Sequence, residues 1–162
     1  MQNFLKKLYL ENKNPSFILV LAQAVFVIIG ILYLNFNISF LSVLVAVFSS
    51  VFSEILFAKL FKKKSKSFFP WGSFATGFSI SIFFRATSPL YFALASIIAI
   101  ASKYILASSG KQIFNPSNFA IVLLIFLFPF ATTVEFTQWV SNPYIYSLVA
   151  IAALFIVYKS GA

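Results

Sequence analysis

Cysteine and histidine are both absent from this chain of 162 residues. Without cysteine there can be no disulfide, no thiolate metal ligand and no iron–sulfur ligation. Without histidine the commonest metal ligand and general base is missing. Carboxylates are scarce too: Glu11, Glu54 and Glu135 are all there are. Three acids cannot build a rich catalytic or metal site, so no catalytic residue and no metal ligand is assigned. If an enzyme is involved, the chain reads as a non-catalytic part of it. Charged residues make up 9%, far below the roughly 25% of soluble domains.

What remains is apolar. Hydrophobic residues reach 61%, in runs that polar faces do not interrupt at the spacing a soluble core needs. The fold class expected is an all-α integral membrane protein. At this length it forms one bundle, with residues 1–15 as a cytoplasmic lead-in and 16–162 as a single transmembrane unit. No small-residue cleavage site follows the first apolar run, which is too long for the core of a signal peptide. The net charge of +9 is not spread over a soluble surface. Its lysines cluster at the ends of apolar runs, where they set topology, so nucleic acid is not an expected partner.

The first span is expected over Ser16 to Tyr33 and the second over Phe40 to Leu60, both long enough to cross. Lys59, Lys62, Lys63, Lys64 and Lys66 close the second span and belong on the cytoplasmic side. Two crossings back, the N-terminus with Lys6, Lys7 and Lys13 is then cytoplasmic as well. Trp71 is placed as an interface anchor before a third element, Ser73 to Arg85. There Ser73, Gly77 and Ser81 recur every four residues on one face. Such a stripe lets helices approach closely; it reads either as packing or as a substrate-lining face. Pro89 to Leu106 is the fourth span.

A polar knot follows, Gly110-Lys-Gln-Ile-Phe-Asn-Pro-Ser-Asn-Phe119. Asn115 precedes a proline and is steered away from helix. Pro116 suits a first helical turn, so a helix starts near Ser117. The apolar run Phe119 to Phe130 is short, which fits a re-entrant half-helix better than a full crossing. Pro143 opens a last helix, Tyr144 to Tyr158. The expected count is five crossings plus the half-helix. Six full crossings is the alternative, favoured by Lys159 after the last helix.

Lys111, Asn115, Pro116, Ser117 and Asn118 are the binding candidates. Asparagine amides donate and accept, and a helix start offers free N–H groups to an anion or a polarised carbonyl. The plainer reading is that the asparagines cap the helix. Glu54, Ser73 and Thr76 are the ion-path candidates, because an acid inside a span is a functional-site hypothesis by default. Glu54 could instead pair with Lys59 near the headgroups. Arg85 is expected to reach the outer interface along its apolar stem, with an anionic headgroup or cofactor phosphate as the other reading.

The segments Ser73–Gly77, Ala99-Ile-Ala-Ser-Lys-Tyr104 and Gly110–Phe119 together resemble the first half of the D subunit of Rnf-type electron transport complexes. The same plan is found in the B subunit of the sodium-translocating NADH:quinone reductase. The family motif is approximately Gly-(Lys/Arg)-His-Ile-Phe-Asn-Pro-(Ala/Ser)-Asn-Phe; Gln112 stands here in place of its histidine. Gln138-Trp139 also resembles the family's segment after its half-helix.

The resemblance implies one inverted repeat of a urea-transporter-like fold, in a complex coupling electron transfer to sodium or proton translocation. It implies flavin mononucleotide (FMN) as the complexes' cofactor. The Ser-Gly-Ala-Thr attachment sequence is absent, however: Ser73-Phe-Ala-Thr76 is a partial echo and Thr132-Thr133 a weaker one, so covalent FMN is not expected on this chain. A single repeat would leave its midplane site half built, so the expected partners are membrane lipid and other membrane subunits, among them a second repeat of opposite topology. The expected location is a bacterial or archaeal cytoplasmic membrane. Three functions follow from these features: a subunit of a redox-driven ion pump, a small-solute channel of the urea-channel type, or a structural assembly subunit.

Overall fold

The computed structural model describes residues 15–33, 36–61, 69–108 and 111–135, with Tyr144, Ser147, Ala150, Ile151, Leu154 and Tyr158 beyond them. Five helices carry the described fold: α1 Pro15–Leu32, α2 Phe40–Leu60, α3 Trp71–Phe83, α4 Pro89–Ile105 and α5 Pro116–Leu127. The starts of α4 and α5 are built alike, from a polar cap followed by proline. Ser88 Oγ accepts from Leu90 N before Pro89, and Asn115 Oδ1 accepts from Ser117 N and Asn118 N around Pro116. Each cap satisfies N–H groups that have no carbonyl within the helix, and proline has no N–H to lose.

Helices α2 and α4 run parallel and pack directly on each other, with α3 antiparallel to both. Ser96 Oγ donates to Ala46 O at mid-height, and Tyr104 meets Glu54 two turns further along both helices. Ser73, near the start of α3, meets the same Glu54. The Phe17 ring packs edge-on against Trp71, centroids 4.8 Å apart, which puts the start of α1 at that end too. Ala46, Ile80, Phe84, Ala95, Ala99, Ala120 and Leu124 form the fully buried core where α2 to α5 converge.

Two short ribbons join this helical frame. β1 Phe84–Ala86 continues α3 and pairs antiparallel with β4 Thr132–Val134, Arg85 opposite Thr133. β2 Ala107–Ser108 pairs with β3 Lys111–Gln112 at the entry to the knot. The class is therefore mainly helical, with two ribbons that the all-α expectation does not include. Their cause is visible in the lengths. At 13 and 12 residues, α3 and α5 reach only about 20 and 18 Å, short of a hydrocarbon core of about 30 Å. Both helices hand over to extended backbone, and the β1–β4 ribbon pairs those groups with each other. Thr132 Oγ1 adds bonds to the carbonyls of Leu124 and Phe128 at the end of α5.

The element bounds follow the sequence closely for α1, α2 and α4. α3 ends two residues earlier than expected, at Phe83, because Phe84 and Arg85 turn extended to meet β4. α5 begins at Pro116, one residue before the start expected near Ser117, and ends at Leu127, three residues before the apolar run does. The lead-in, the lysines 62–66, Gly110, Gln138 and Trp139, and most of the expected last helix lie outside the described residues. Tyr144, Ser147, Ala150, Ile151, Leu154 and Tyr158 are helical where described.

Burial on α2 is inverted relative to a helix of a water-soluble bundle. On α2 the inward residues are Ser42, Ala46, Ser50 and Ser53, while Phe48 and Phe52 are 70% and 68% exposed. Hydroxyls inward and phenylalanine outward suits an apolar solvent, where small residues let helices close and large ones face the tails. Among the described residues, α2 alone is long and apolar enough to cross a membrane unaided.

Candidate ion-handling site at Glu54

Glu54 lies on α2 about 9 Å of helix rise before Leu60. Its carboxylate is held by two neighbouring helices. Ser73 Oγ of α3 donates to Oε2 at 2.8 Å, and the Tyr104 hydroxyl of α4 donates to Oε1 at 2.6 Å. Lys103 Nζ stands 3.8 Å from Oε2 and donates to the Gly72 carbonyl at 3.2 Å. Lys103 is almost wholly enclosed, with 12% of its side chain exposed against 26% for Glu54. The Phe57 and Phe61 rings lean on Tyr104, with centroids 5.8 and 5.4 Å away, and fix its ring. The result is a carboxylate with ordered hydroxyl donors and one cation at its edge. Oxygen donors of this kind suit a hard cation or a proton.

The sequence candidates fall around this centre unevenly. Ser73 touches Glu54 directly. Thr76 is buried but turns its hydroxyl back to Gly72 O at 2.8 Å. Ser117 is buried at the first turn of α5, its hydroxyl 3.5 Å from Thr76 O. The start of α5 therefore lies beside α3 at the Glu54 end.

The remaining candidates lie at the start of α5 and on β3. Asn115 and Asn118 are exposed and Pro116 is half-buried. Lys111 sits in β3, its backbone paired with Ser108. Two of the N–H groups that the sequence marks as free are taken by the Asn115 side chain at 3.1 and 3.2 Å. The knot is thus a capped helix start beside a small hairpin, with Ile113 and Phe114 exposed.

Glu54 does not depend on Lys59, the partner its spacing suggests; Lys103 and Tyr104 take that role. In the sequence Lys103 and Tyr104 stand out only as the end of the Ala99–Tyr104 segment that carries the family resemblance, not as partners of Glu54. A lysine placed inside the end of an apolar span is the available signal. Arg85 is a second departure. It does not stretch to an interface but is 9% exposed. Its Nη1 donates to Ser81 O and Phe84 O at 2.9 and 2.7 Å, and its Nε lies 3.5 Å from Glu135 Oε2. Beside it a cavity of about 120 Å³ is lined by Asn37, Ser39, Ser42, Ser81 and Arg85 among others. The two ends of α3 thus each hold an acid and a base.

Hydroxyls turned inward and large rings turned outward on α2 are the pattern of an integral membrane helical protein. The chain belongs to the NQR2, RnfD, RnfE family, which it matches over residues 11–159. It is 34% identical over 137 residues to the D subunit of the ion-translocating oxidoreductase complex of Buchnera aphidicola subsp. Baizongia pistaciae (strain Bp). That match covers 82% of this chain and 38% of the relative, so the chain spans less than half the length of the curated protein it resembles. No solved structure matches the chain. The family is the one that the knot and the Ala99–Tyr104 return point to.

Proposed function

We propose that this chain is a membrane subunit of a redox-driven, ion-translocating electron transport complex in a bacterial or archaeal cytoplasmic membrane. It supplies part of the ion path and docks partner subunits. The single observation that carries the ion path is Glu54, an acid inside the one span-length helix among the described residues, pinned by Ser73, Tyr104 and Lys103 from two other helices. A purely interfacial glutamate would need none of these partners. Family membership and the name of the similar D subunit support the setting. Ser73, Thr76 and Ser117 border the path, and Lys111, Asn115, Pro116 and Asn118 form its mouth.

In this reading the chain is a non-catalytic subunit, and without cysteine it offers no ligand to an iron–sulfur centre. FMN enters through the family resemblance, held without a covalent bond if it meets this chain. The reading has α1, α2 and α4 crossing, and α3 crossing with the help of β1. α5 enters as a half-helix, and the antiparallel β4 supports this by reversing the chain beside β1. The last helix makes the fifth crossing. The lysine bias puts the N-terminus and the Glu54 end in the cytoplasm. The bundle is one repeat of a urea-transporter-like fold, completed by a partner chain of opposite topology and by lipid over the Phe48–Phe52 face.

The test is Glu54→Gln in the assembled complex, reconstituted in liposomes and driven by its electron donor. Ion uptake is expected to fall while insertion and subunit assembly persist. Equal loss of uptake and assembly would make the residue structural. Solute flux through the chain alone would instead favour a channel.

A further inference from the structure

Two small-residue stripes face each other along the full height of α2 and α3. On α2, Ser42, Ala46, Ser50 and Glu54 follow at four-residue intervals; on α3, Ser73, Gly77 and Ser81 do the same. Residues four apart share a helix face. The helices run antiparallel, so Ser73 meets Glu54 at one end. Gly77 meets Ala46 and Val47 at mid-height. Ser42 and Ser81 line one cavity at the other end. Charge closes both ends: Glu54 with Lys103, and Arg85 with Glu135.

Ser50 stands between the Glu54 and Gly77 contacts. It is wholly buried, and its hydroxyl has no hydrogen-bond partner among the described residues. A helical serine ordinarily turns back to the carbonyl four residues earlier, as Ser81 does to Gly77 O at 2.8 Å. For Ser50 that carbonyl is Ala46 O, which already accepts from Ser96 Oγ at 2.9 Å. The hydroxyl is thereby left for something the chain does not supply. A buried unsatisfied hydroxyl is destabilising and is normally met by water or a ligand.

We propose that the α2–α3 seam is a hydrated path carrying water and a small monovalent cation between the outer cavity and Glu54. Ser50 is its mid-depth station, and the Gly77 contact with Ala46 and Val47 is where it is closed. A Cβ on Gly77 would come within 2.6 Å of Val47 Cα, so the two backbones touch there and α3 must draw back from α2 for an ion to pass. The proposal rests on the reading of this chain as part of an ion path, and it adds the route.

The absence of cysteine makes the route directly testable. Single cysteines at Ser42→Cys, Ser50→Cys and Ser81→Cys, in the assembled complex in native membranes, are exposed to a cationic methanethiosulfonate. Labelling is read as the mass of this chain. Lipid-facing Phe48→Cys and core Ala99→Cys are the controls. The seam cysteines are expected to label at least about tenfold faster than both controls, ~1.4 kcal/mol in access. Ser50→Cys labelling no faster than Ala99→Cys would overturn the proposal.

Ser50→Ala gives a second, independent reading. A hydrated seam predicts slower ion uptake with unchanged chain abundance and thermal stability. A dry seam predicts a more stable chain with uptake unchanged, because a buried unmet hydroxyl is gone. A dry seam beside an impaired Glu54→Gln would sink the route alone; a wet seam beside a fully active Glu54→Gln would sink the role of Glu54 alone.

Discussion

Tyr104 and Glu54, fifty residues apart in the chain, meet at 2.6 Å with the phenol donating to Oε1. Because Ser73 holds the other carboxylate oxygen from α3, the acid reports the relative position of three helices. A slide of α3 or α4 along α2 would strip one of its donors. That sensitivity is what an ion-binding group needs if its affinity is to change during a transport cycle.

Tyr104→Phe isolates the contact. The ring stays packed against Phe57 and Phe61, and only the hydroxyl is lost. A hydrogen bond to a charged group contributes about 1.5–3 kcal/mol. The lower end is expected here, since 26% of the Glu54 side chain is exposed. Thermal unfolding in detergent should show the loss, and Glu54→Gln should show one of its own. The double variant should lose less than the sum, because the two groups are in contact. Strict additivity would mean that the hydroxyl and the carboxylate do not interact in the folded chain.

Much of this arrangement is written locally in the sequence. The limits of α2 follow from an uninterrupted apolar run. The starts of α4 and α5 follow from Ser88-Pro89 and Asn115-Pro116, and the Ser73–Gly77–Ser81 stripe is legible as a close-approach face. What escapes a sequence reading is set by distant pairing. Lys59 is five residues from Glu54 and looks like its partner, yet Lys103 on another helix is the one that arrives. Arg85 looks like an interface residue because Glu135 lies in a stretch without periodicity, and only the β1–β4 register brings them together. Strands of two or three residues carry too little alternation to be read. They exist because α3 and α5 stop short and leave backbone groups that need partners.

The Arg85–Glu135 pair should be asymmetric when its members are removed singly. Arg85 also donates to the Ser81 and Phe84 carbonyls, whereas a third of the Glu135 side chain, 34%, is exposed. Arg85→Met leaves two carbonyls without their donor and a carboxylate without its counter-charge, and a cost of about 3 kcal/mol is expected, as for a broken buried pair. Glu135→Gln keeps the arginine bonded to both carbonyls and should cost about 1 kcal/mol, nearer to an exposed pair. Unfolding of the purified chain in lipid-like detergent would rank them. A larger loss from Glu135→Gln would show that the salt bridge, not the carbonyl bonds, holds β1 in place.

Gly72 and Gly77 lie five residues apart on α3 and should answer oppositely to the same substitution. At Gly77 an added Cβ would sit 2.6 Å from Val47 Cα and 3.0 Å from Ala46 O, backbone atoms that cannot swing aside. Gly77→Ala must therefore push α3 off α2, and overpacking of this kind costs about 1–3 kcal/mol. At Gly72 the nearest atom is Lys103 Nζ at 4.0 Å, the far end of a flexible side chain. Alanine there should be neutral or stabilise by up to about 1 kcal/mol, since it restricts the unfolded chain more than glycine does. Thermal unfolding of the two variants side by side gives the comparison. A Gly77→Ala chain as stable as Gly72→Ala would mean that α2 and α3 do not approach as closely as the Ala46–Gly77 contact requires.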